Sequence, residues 1–242
     1  MISGQPQYSA FEQHWFAAVL IYTIAPLAMV ASYAPPRGID YWWDLAMALG
    51  AVAGVGLALL PLLSARWWVG QQRTTGFLRL VQTVHRELSY VALGCAVAHV
   101  AILLILEGRV VEYLKLSAES AMLAGLFGIL LVVALVISSR YRENLRIGYR
   151  SWRTWHGVLS IAAIGLIGWH LLGAGYYFDP GTKGLGLIAL LSAPTILILS
   201  FRWRPLRAVN LGPVYTFHFA RRRARRLVVA VGLVWIASAI GV

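Results

Sequence analysis

The sequence holds a single cysteine, Cys95, and only nine acidic residues in 242. One thiol excludes an intramolecular disulfide, a thiolate-held iron–sulfur cluster, a thiol redox pair and a cysteine-built zinc site. Charge of either sign is scarce: charged residues make up 12% of the chain against 60% apolar residues, and the mean hydropathy is +0.71. A water-facing surface cannot be assembled from that composition, so a soluble enzyme core is excluded. The net charge of +12 does not indicate nucleic acid, because no aromatic-interleaved basic face accompanies it. A glycine-rich loop for a nucleotide is missing too, since Gly181-Thr-Lys-Gly-Leu-Gly follows no strand.

Long apolar runs are what the sequence has in abundance, and they predict an all-α membrane protein. Six spans read as Trp15 to Ala34, Trp43 to Leu63, Leu88 to Leu106, Ser120 to Ile137, His156 to Gly173 and Gly184 to Phe201, each bounded by charged or Pro/Gly-rich stretches. The run Leu227 to Val242 is short for ~30 Å of hydrocarbon, and is read as a short seventh span. The expected organisation is a six-span domain over 1–201, a basic segment over 202–226 and an apolar C-terminal helix over 227–242. Arginine concentrates in the loops after the second, fourth and sixth spans, with Arg140, Arg142, Arg146, Arg150 and Arg153 in one of them. By the positive-inside rule those loops and the N-terminus are cytoplasmic, in the inner (plasma) membrane of a bacterium. The start of the chain lacks a basic n-region and a small-residue cleavage site, so the first span is expected to act as its own targeting signal. Gly50 and Gly54 read as a close helix contact, and Pro26 and Pro194 as kinks in the first and sixth spans.

Six histidines occur, and four of them form matched pairs: His85 and His99 in the third span, His156 and His170 in the fifth, with the same sequence interval in both pairs. That interval of fourteen advances a helix by about 21 Å and returns it to within about 40° of the same face. The third and fifth spans run in the same direction, so His85 meets His156 at one depth and His99 meets His170 at another. Two stacked imidazole pairs, each able to grip one metal from both sides, are the layout of two bis-histidine b-type haems. Intramembrane ionisable residues are rare and usually functional. Zinc, copper or non-haem iron are alternatives for imidazole, yet no carboxylate or cysteine stands beside His99 or His170 in sequence. A transporter whose histidines bind a metal or relay protons is the reading from another functional class. His14 and His218 have no partner at this spacing and read as interfacial.

Between the histidines a helical face carries Ser89, Ala92 and Ala96 on the third span and Ser160, Ala163 and Ile167 on the fifth. Small residues there leave room for a porphyrin plate, and they also suit plain helix contacts. Arg86 beside His85 and Arg153 beside His156 are the candidates to meet haem propionates at the inner site. Tyr176, Tyr177 and Arg109 are the corresponding candidates at the outer one.

The paired histidines on the third and fifth spans, with the lead-in Leu145-Arg-Ile-Gly-Tyr-Arg-Ser-Trp-Arg-Thr-Trp-His156, resemble the ferric reductase-like transmembrane domain, the haem-bearing membrane part of ferric reductases and NADPH oxidases. The resemblance spans roughly residues 15 to 201. It implies that His85 and His156 hold an inner haem and His99 and His170 an outer one, with electrons passing from NAD(P)H through flavin to an acceptor on the far side. The family's flavin and nicotinamide domains would begin after Phe201, where instead a basic stretch and an apolar run follow, so no flavin or NAD(P) site is expected in this chain. The expected function is a two-haem membrane cytochrome, one subunit of an oxidoreductase surrounded by lipid, fed by a separate cytoplasmic flavoprotein or by quinol and delivering to an extracytoplasmic acceptor. A quinone-linked cytochrome similar to the b561 type is the alternative.

Overall fold

The computed structural model describes residues 19, 21, 22, 25, 41–64, 75–174 and 182–203. Among these the chain is helical, with no strand. In order come α1 (Tyr41–Leu59), α2 (Thr75–Leu106), a short 3₁₀ helix η1 (Gly108–Leu114), α3 (Ser120–Arg140), α4 (Tyr149–Gly173) and α5 (Thr182–Trp203). Four stretches are long and apolar enough to cross a membrane: Tyr41–Leu59, Val81–Leu106, Ser120–Arg140 and Tyr149–Gly173. They correspond to the second to fifth predicted spans. Helix α5 occupies the sixth, with a shorter apolar stretch Gly184–Ile196 and Pro194 inside it. Of the first predicted span only Val19, Ile21, Tyr22 and Ala25 are described, all helical. The seventh span, residues 204–226, His14, His218, Pro26, Tyr176 and Tyr177 lie outside the described residues.

Helix is the only open structure whose backbone satisfies its own polar groups in hydrocarbon, and each boundary has a local cause. Helix α1 begins with Asp44 in its first turn, a negative charge at the positive end of the helix dipole. It stops at Leu59 because Pro61 has no N–H to donate. Tighter bonds replace the ladder there, from Leu60 N to Leu57 O (3.2 Å) and from Leu63 N to Leu60 O (3.0 Å). Helix α2 starts at Thr75, well before the apolar run at Leu88, because a helix ends at a cap or breaker and not where lipid begins. His85 and His156 therefore stand within regular helix. The loop from α3 to α4 turns through Arg146 at φ 53°, a left-handed conformation that costs a non-glycine residue about 1–2 kcal/mol. Glu107 caps η1 by accepting a bond from Arg109 N (3.3 Å).

Two antiparallel hairpins result, α1 with α2 and α3 with α4, and these are the closest helix pairs. Helix α1 is central: 67% of its apolar stretch is buried, against 11% for α2 and for α4. The burial follows from Ala46, Ala48, Ala51, Ala53 and Ala58, which let neighbours approach from all sides. Ala58, Leu171, Leu187 and Leu191 seal α1 against α4 and α5, and the Tyr22 hydroxyl donates to Leu190 O. Leu57, Ala92, Val132, Leu135 and Ala163 form one cluster that joins α1, α2, α3 and α4. Helices α2 and α4 are different: no Cα of one comes within 8 Å of a Cα of the other. Packed helices lie about 8–10 Å apart axis to axis and show many such approaches, so α2 and α4 flank a gap that α1 and α3 hold open.

Candidate functional site

Across that gap the four histidines meet in two pairs. The ring centroids of His85 and His156 are 6.5 Å apart, inclined at 51°; those of His99 and His170 are 6.3 Å apart, inclined at 71°. Equal spacing on both helices, with α2 and α4 running the same way, brings both pairs into register. The facing of the side chains is set by what holds each ring from behind.

Every one of the four Nδ1 atoms has a partner. His85 Nδ1 donates to Leu60 O (2.9 Å), His99 Nδ1 to Ala46 O (2.7 Å) and His170 Nδ1 to Ala121 O (3.0 Å). His156 Nδ1 lies 3.4 Å from Ser139 Oγ, and that hydroxyl in turn donates to Leu135 O (2.6 Å). A carbonyl can only accept, so the proton sits on Nδ1 and the lone pair is on Nε2. The serine reaches the same result through one more atom, since its proton is committed to Leu135 and its lone pair faces His156.

These partners repeat between the hairpins. The interval from Ala46 to Leu60, on α1 and its end, equals that from Ala121 to Leu135 on α3, and both equal the interval between the histidines of one helix. Four carbonyls with the histidines' own spacing thus hold the rings, one of them through a serine. Two glycines make the approach possible. A Cβ on Gly50 would stand 2.9 Å from His99 Nδ1, and a Cβ on Gly125 would stand 2.7 Å from His170 Nδ1. Each glycine lies one turn after the accepting residue, over the face that the ring covers. Gly54 and Gly128 do the same for aliphatic side chains, leaving space for Leu171 and Ile167 from α4. The Gly50 and Gly54 contact expected between helix backbones is in fact two seats for side chains of two different helices.

Sequence reasoning misses this outer layer of acceptors. A signal exists: Ala46-Met-Ala-Leu-Gly50 and Ala121-Met-Leu-Ala-Gly125 stand at matching positions before the two histidine helices. Trp152 escapes it as well; its ring stacks on His156 with centroids 4.9 Å apart. Of the proposed cleft residues, Ala92 and Ala163 are buried together in the cluster that joins the four helices, and Ala96 is partly buried. The Ser89 hydroxyl bonds Arg86 O (2.7 Å) and that of Ser160 bonds His156 O (2.6 Å), so both donate to their own helices. Arg86 is exposed and pairs with Glu87 (2.9 Å). Arg153 lies over the Tyr149 ring, 5.6 Å from its centre. Arg109 is exposed on η1.

The geometry tests which metal group such pairs suit. Two trans imidazoles with metal–nitrogen bonds of about 2.0–2.1 Å, each nitrogen ~1.1 Å from its ring centre, have centroids about 6.3 Å apart. Both observed separations match. Among the described residues no third His, Cys, Asp or Glu joins either pair. Cages for zinc, copper or calcium draw three or more ligands from the protein, whereas a haem brings four nitrogens of its own and needs only the two axial positions. A ring N–H held by a carbonyl behind the ligand is the usual second layer of a metal-bound histidine. The residues present fit two bis-histidine haems.

Comparison with known proteins adds an independent line. Residues 49–167 match the ferric reductase like transmembrane component family, a segment that takes in His85, His99 and His156. An uncharacterized protein of Archaeoglobus fulgidus is 25% identical over 134 residues, which cover 52% of this chain and 73% of the relative. No solved structure matches.

The acceptor layer can be tested from both ends. Gly50→Ala or Gly125→Ala forces a methyl into an imidazole face; overpacking of this kind costs about 1–3 kcal/mol, so if the two pairs bind haem, each variant should lower haem content from two towards one per chain while the His85–His156 site stays filled. Pyridine haemochrome assay against protein concentration checks this. Ser139→Ala removes the acceptor behind His156. Outer partners of metal-bound histidines are worth about 10–100-fold in metal affinity, and loss of the acceptor makes the imidazole a weaker electron donor. If each pair holds a haem, one of two midpoint potentials should therefore move to a more positive value in a redox titration, the other remaining in place.

Proposed function

We propose that this chain, which over residues 49–167 belongs to the ferric reductase-like transmembrane family, is a two-haem b-type cytochrome that conducts electrons across the plasma membrane as one subunit of an oxidoreductase. The observation that carries the reading is the double imidazole clasp: two facing pairs at 6.5 and 6.3 Å, every ring with Nδ1 engaged from behind. His85 and His156 hold the inner group, and His99 and His170 the outer one. A b-type haem, when bound, supplies a one-electron iron couple that needs no change of protein ligand.

The protein's part is to fix the ligands and exclude competing chemistry. Four hydrogen bonds behind the rings orient Nε2 before any metal arrives, so little reorganisation accompanies a change of charge. Were a haem bound, two histidines at each site would hold its iron, and the protein would leave no ligand position for oxygen or a chelate. The buried cluster of Leu57, Ala92, Val132, Leu135 and Ala163 joins the four helices, with Ala92 and Ala163 midway in sequence between the histidines of their helices. Helix α1 and helix α3 supply rigidity, α2 and α4 supply ligands.

Electrons enter, on this reading, from a cytoplasmic flavoprotein with an acidic face. The connection from α3 to α4, which leads into His156, supports it, since Arg140 and Arg150 at the helix ends and Arg146 between them are exposed, and a basic patch steers an acidic partner. An extracytoplasmic acceptor would take electrons at the opposite end. The whole haem domain then spans 1–201 with six crossings, followed by the basic segment 202–226 and an apolar helix at 227–242.

Purified full-length protein decides the matter. The expected result is a low-spin b-type spectrum with two haems per chain, and a colourless preparation would overturn it. Reduction by a quinol in the absence of any flavoprotein would favour the quinone-linked alternative. His99→Ala or His170→Ala should each remove one haem and slow electron transfer across proteoliposomes to a trapped acceptor by at least about 100-fold, as loss of a component that acts as a unit does. Unchanged haem content in both variants would end the assignment.

A further inference from the structure

Trp152 carries the one buried side-chain nitrogen that has no hydrogen-bond partner among the described residues, its indole Nε1. Buried donors in native proteins are paired with protein, water or a ligand, so this one calls for an acceptor other than the described residues. The ring itself is fixed. It stacks on His156 at 4.9 Å and 35°, on Tyr149 at 5.9 Å and 30°, and lies under the Arg142 guanidinium at 5.9 Å. Trp152 precedes His156 by one helical turn, which places the indole beside the inner imidazole pair and not between the two pairs.

The surroundings select the charge of the missing partner. Arg142 lies over both the Trp152 ring, at 5.9 Å, and the Tyr149 ring, at 5.6 Å, and Arg153 lies over Tyr149 at 5.6 Å, so the aromatic cluster that holds the indole carries two cations. The acidic residue paired with Arg142, Glu143, is 87% exposed and 3.3 Å from the guanidinium, a surface contact of little strength. An N–H donor beside one guanidinium, in a cluster that carries a second, suits an anionic oxygen. We propose that Trp152 Nε1 donates a hydrogen bond to a carboxylate on the rim of the group held by His85 and His156, and so is a cofactor contact in its own right. This rests on the two-haem reading, in which that carboxylate is a propionate. Among the residues expected to meet propionates, Arg86 pairs with Glu87 at 2.9 Å, and Trp152 is a contact additional to that set.

Ultraviolet resonance Raman spectroscopy of full-length protein in phospholipid nanodiscs tests the contact through the indole band that senses N–H hydrogen bonding. Trp152→Phe identifies the band and Trp155→Phe, at an exposed neighbour, serves as control. In holoprotein the Trp152 band should report a strong bond; in His85→Ala, which loses the inner haem and keeps the same lipid and the indole's own neighbours, it should report a free N–H. A bonded band in both proteins means the acceptor is a lipid phosphate or another group, and overturns the proposal. As a second measurement, Trp152→Phe should shift the visible-excitation propionate mode of one haem of the two and speed that haem's loss to apomyoglobin by about tenfold, the worth of a hydrogen bond to a charged group. Two haems with propionate modes and loss rates identical to the parent protein would refute the contact and leave the cytochrome standing. Absence of haem from the parent protein would instead remove the reading beneath it.

Discussion

An imidazole placed in the interior of a helical bundle has one N–H that must find an acceptor, and in this fold nearly every acceptor is already used. Each backbone carbonyl within a helix serves the residue four positions on, and hydrocarbon offers no water to make up a shortfall. The arrangement of α1 and α3 answers that constraint at four places. Where the carbonyl already serves the helix ladder, as at Ala46 and Ala121, a glycine one turn later exposes its second lone pair to the ring. Where α1 ends, Pro61 breaks the ladder and leaves Leu60 O able to accept from His85 as well as from Leu63 N. Helix α3 has no break at the corresponding level, and Ser139 bridges the distance between Leu135 O and His156.

The same constraint explains why the ligand helices are not packed on one another. If α2 and α4 touched along their length, their histidines would point at each other's backbones with no room for a metal between them. Instead each ligand helix leans on a partner that takes the Nδ1 side of its rings, α1 for α2 and α3 for α4, and the Nε2 sides are left facing across the gap. Two hairpins of similar design, set face to face, thus produce two sites at once. The buried alanines midway, Ala92 and Ala163, are the narrow points where the four helices join, and larger residues there would push α2 and α4 away from their supports.

Much of this was legible in the residues, and the limits have physical causes. Hydropathy marks Tyr41–Leu59, Ser120–Arg140 and their neighbours because a membrane crossing needs uninterrupted apolar length. It does not mark where α2 begins, since the stretch from Thr75 to Val84 mixes polar with apolar residues and still forms helix. Histidine stands out because it is rare within spans, and a shared spacing can be read from the letters alone. Acceptors are a different matter: every residue owns a carbonyl, so Leu60 and Ala121 look like any other leucine or alanine. Gly50 and Gly125 are visible as glycines, but a glycine in a membrane helix usually means close backbone contact, and only the ring positions show that these two make room for imidazoles. Ser89 and Ser160 were legible as small residues on the right face, while the destination of their hydroxyls, back to their own helices, depends on rotamers that spacing does not encode.

The two sites built by this device are not equivalent, and the difference falls at one end of the bundle. His99 and His170 each bond directly to a carbonyl, at 2.7 and 3.0 Å, whereas His156 is held at 3.4 Å by a hydroxyl. A shorter bond to a better acceptor draws the Nδ1 proton away and makes the imidazole a stronger donor, which favours the oxidised state of a bound iron. By that argument a haem held by His85 and His156 would take up an electron more readily than one held by His99 and His170, before any charge is counted. Charges act in the same sense, because Arg142 and Arg153 stand at the His85–His156 end and a positive field favours the more reduced, less positive site. If electrons arrive at the arginine-rich end, they meet the more accepting site first, and onward transfer runs slightly uphill unless an acceptor draws them out. On the two-haem reading such a gradient would hold the reducing equivalent near its donor until a far-side partner is in place, a property that would follow from one serine and two arginines and not from the ligands themselves.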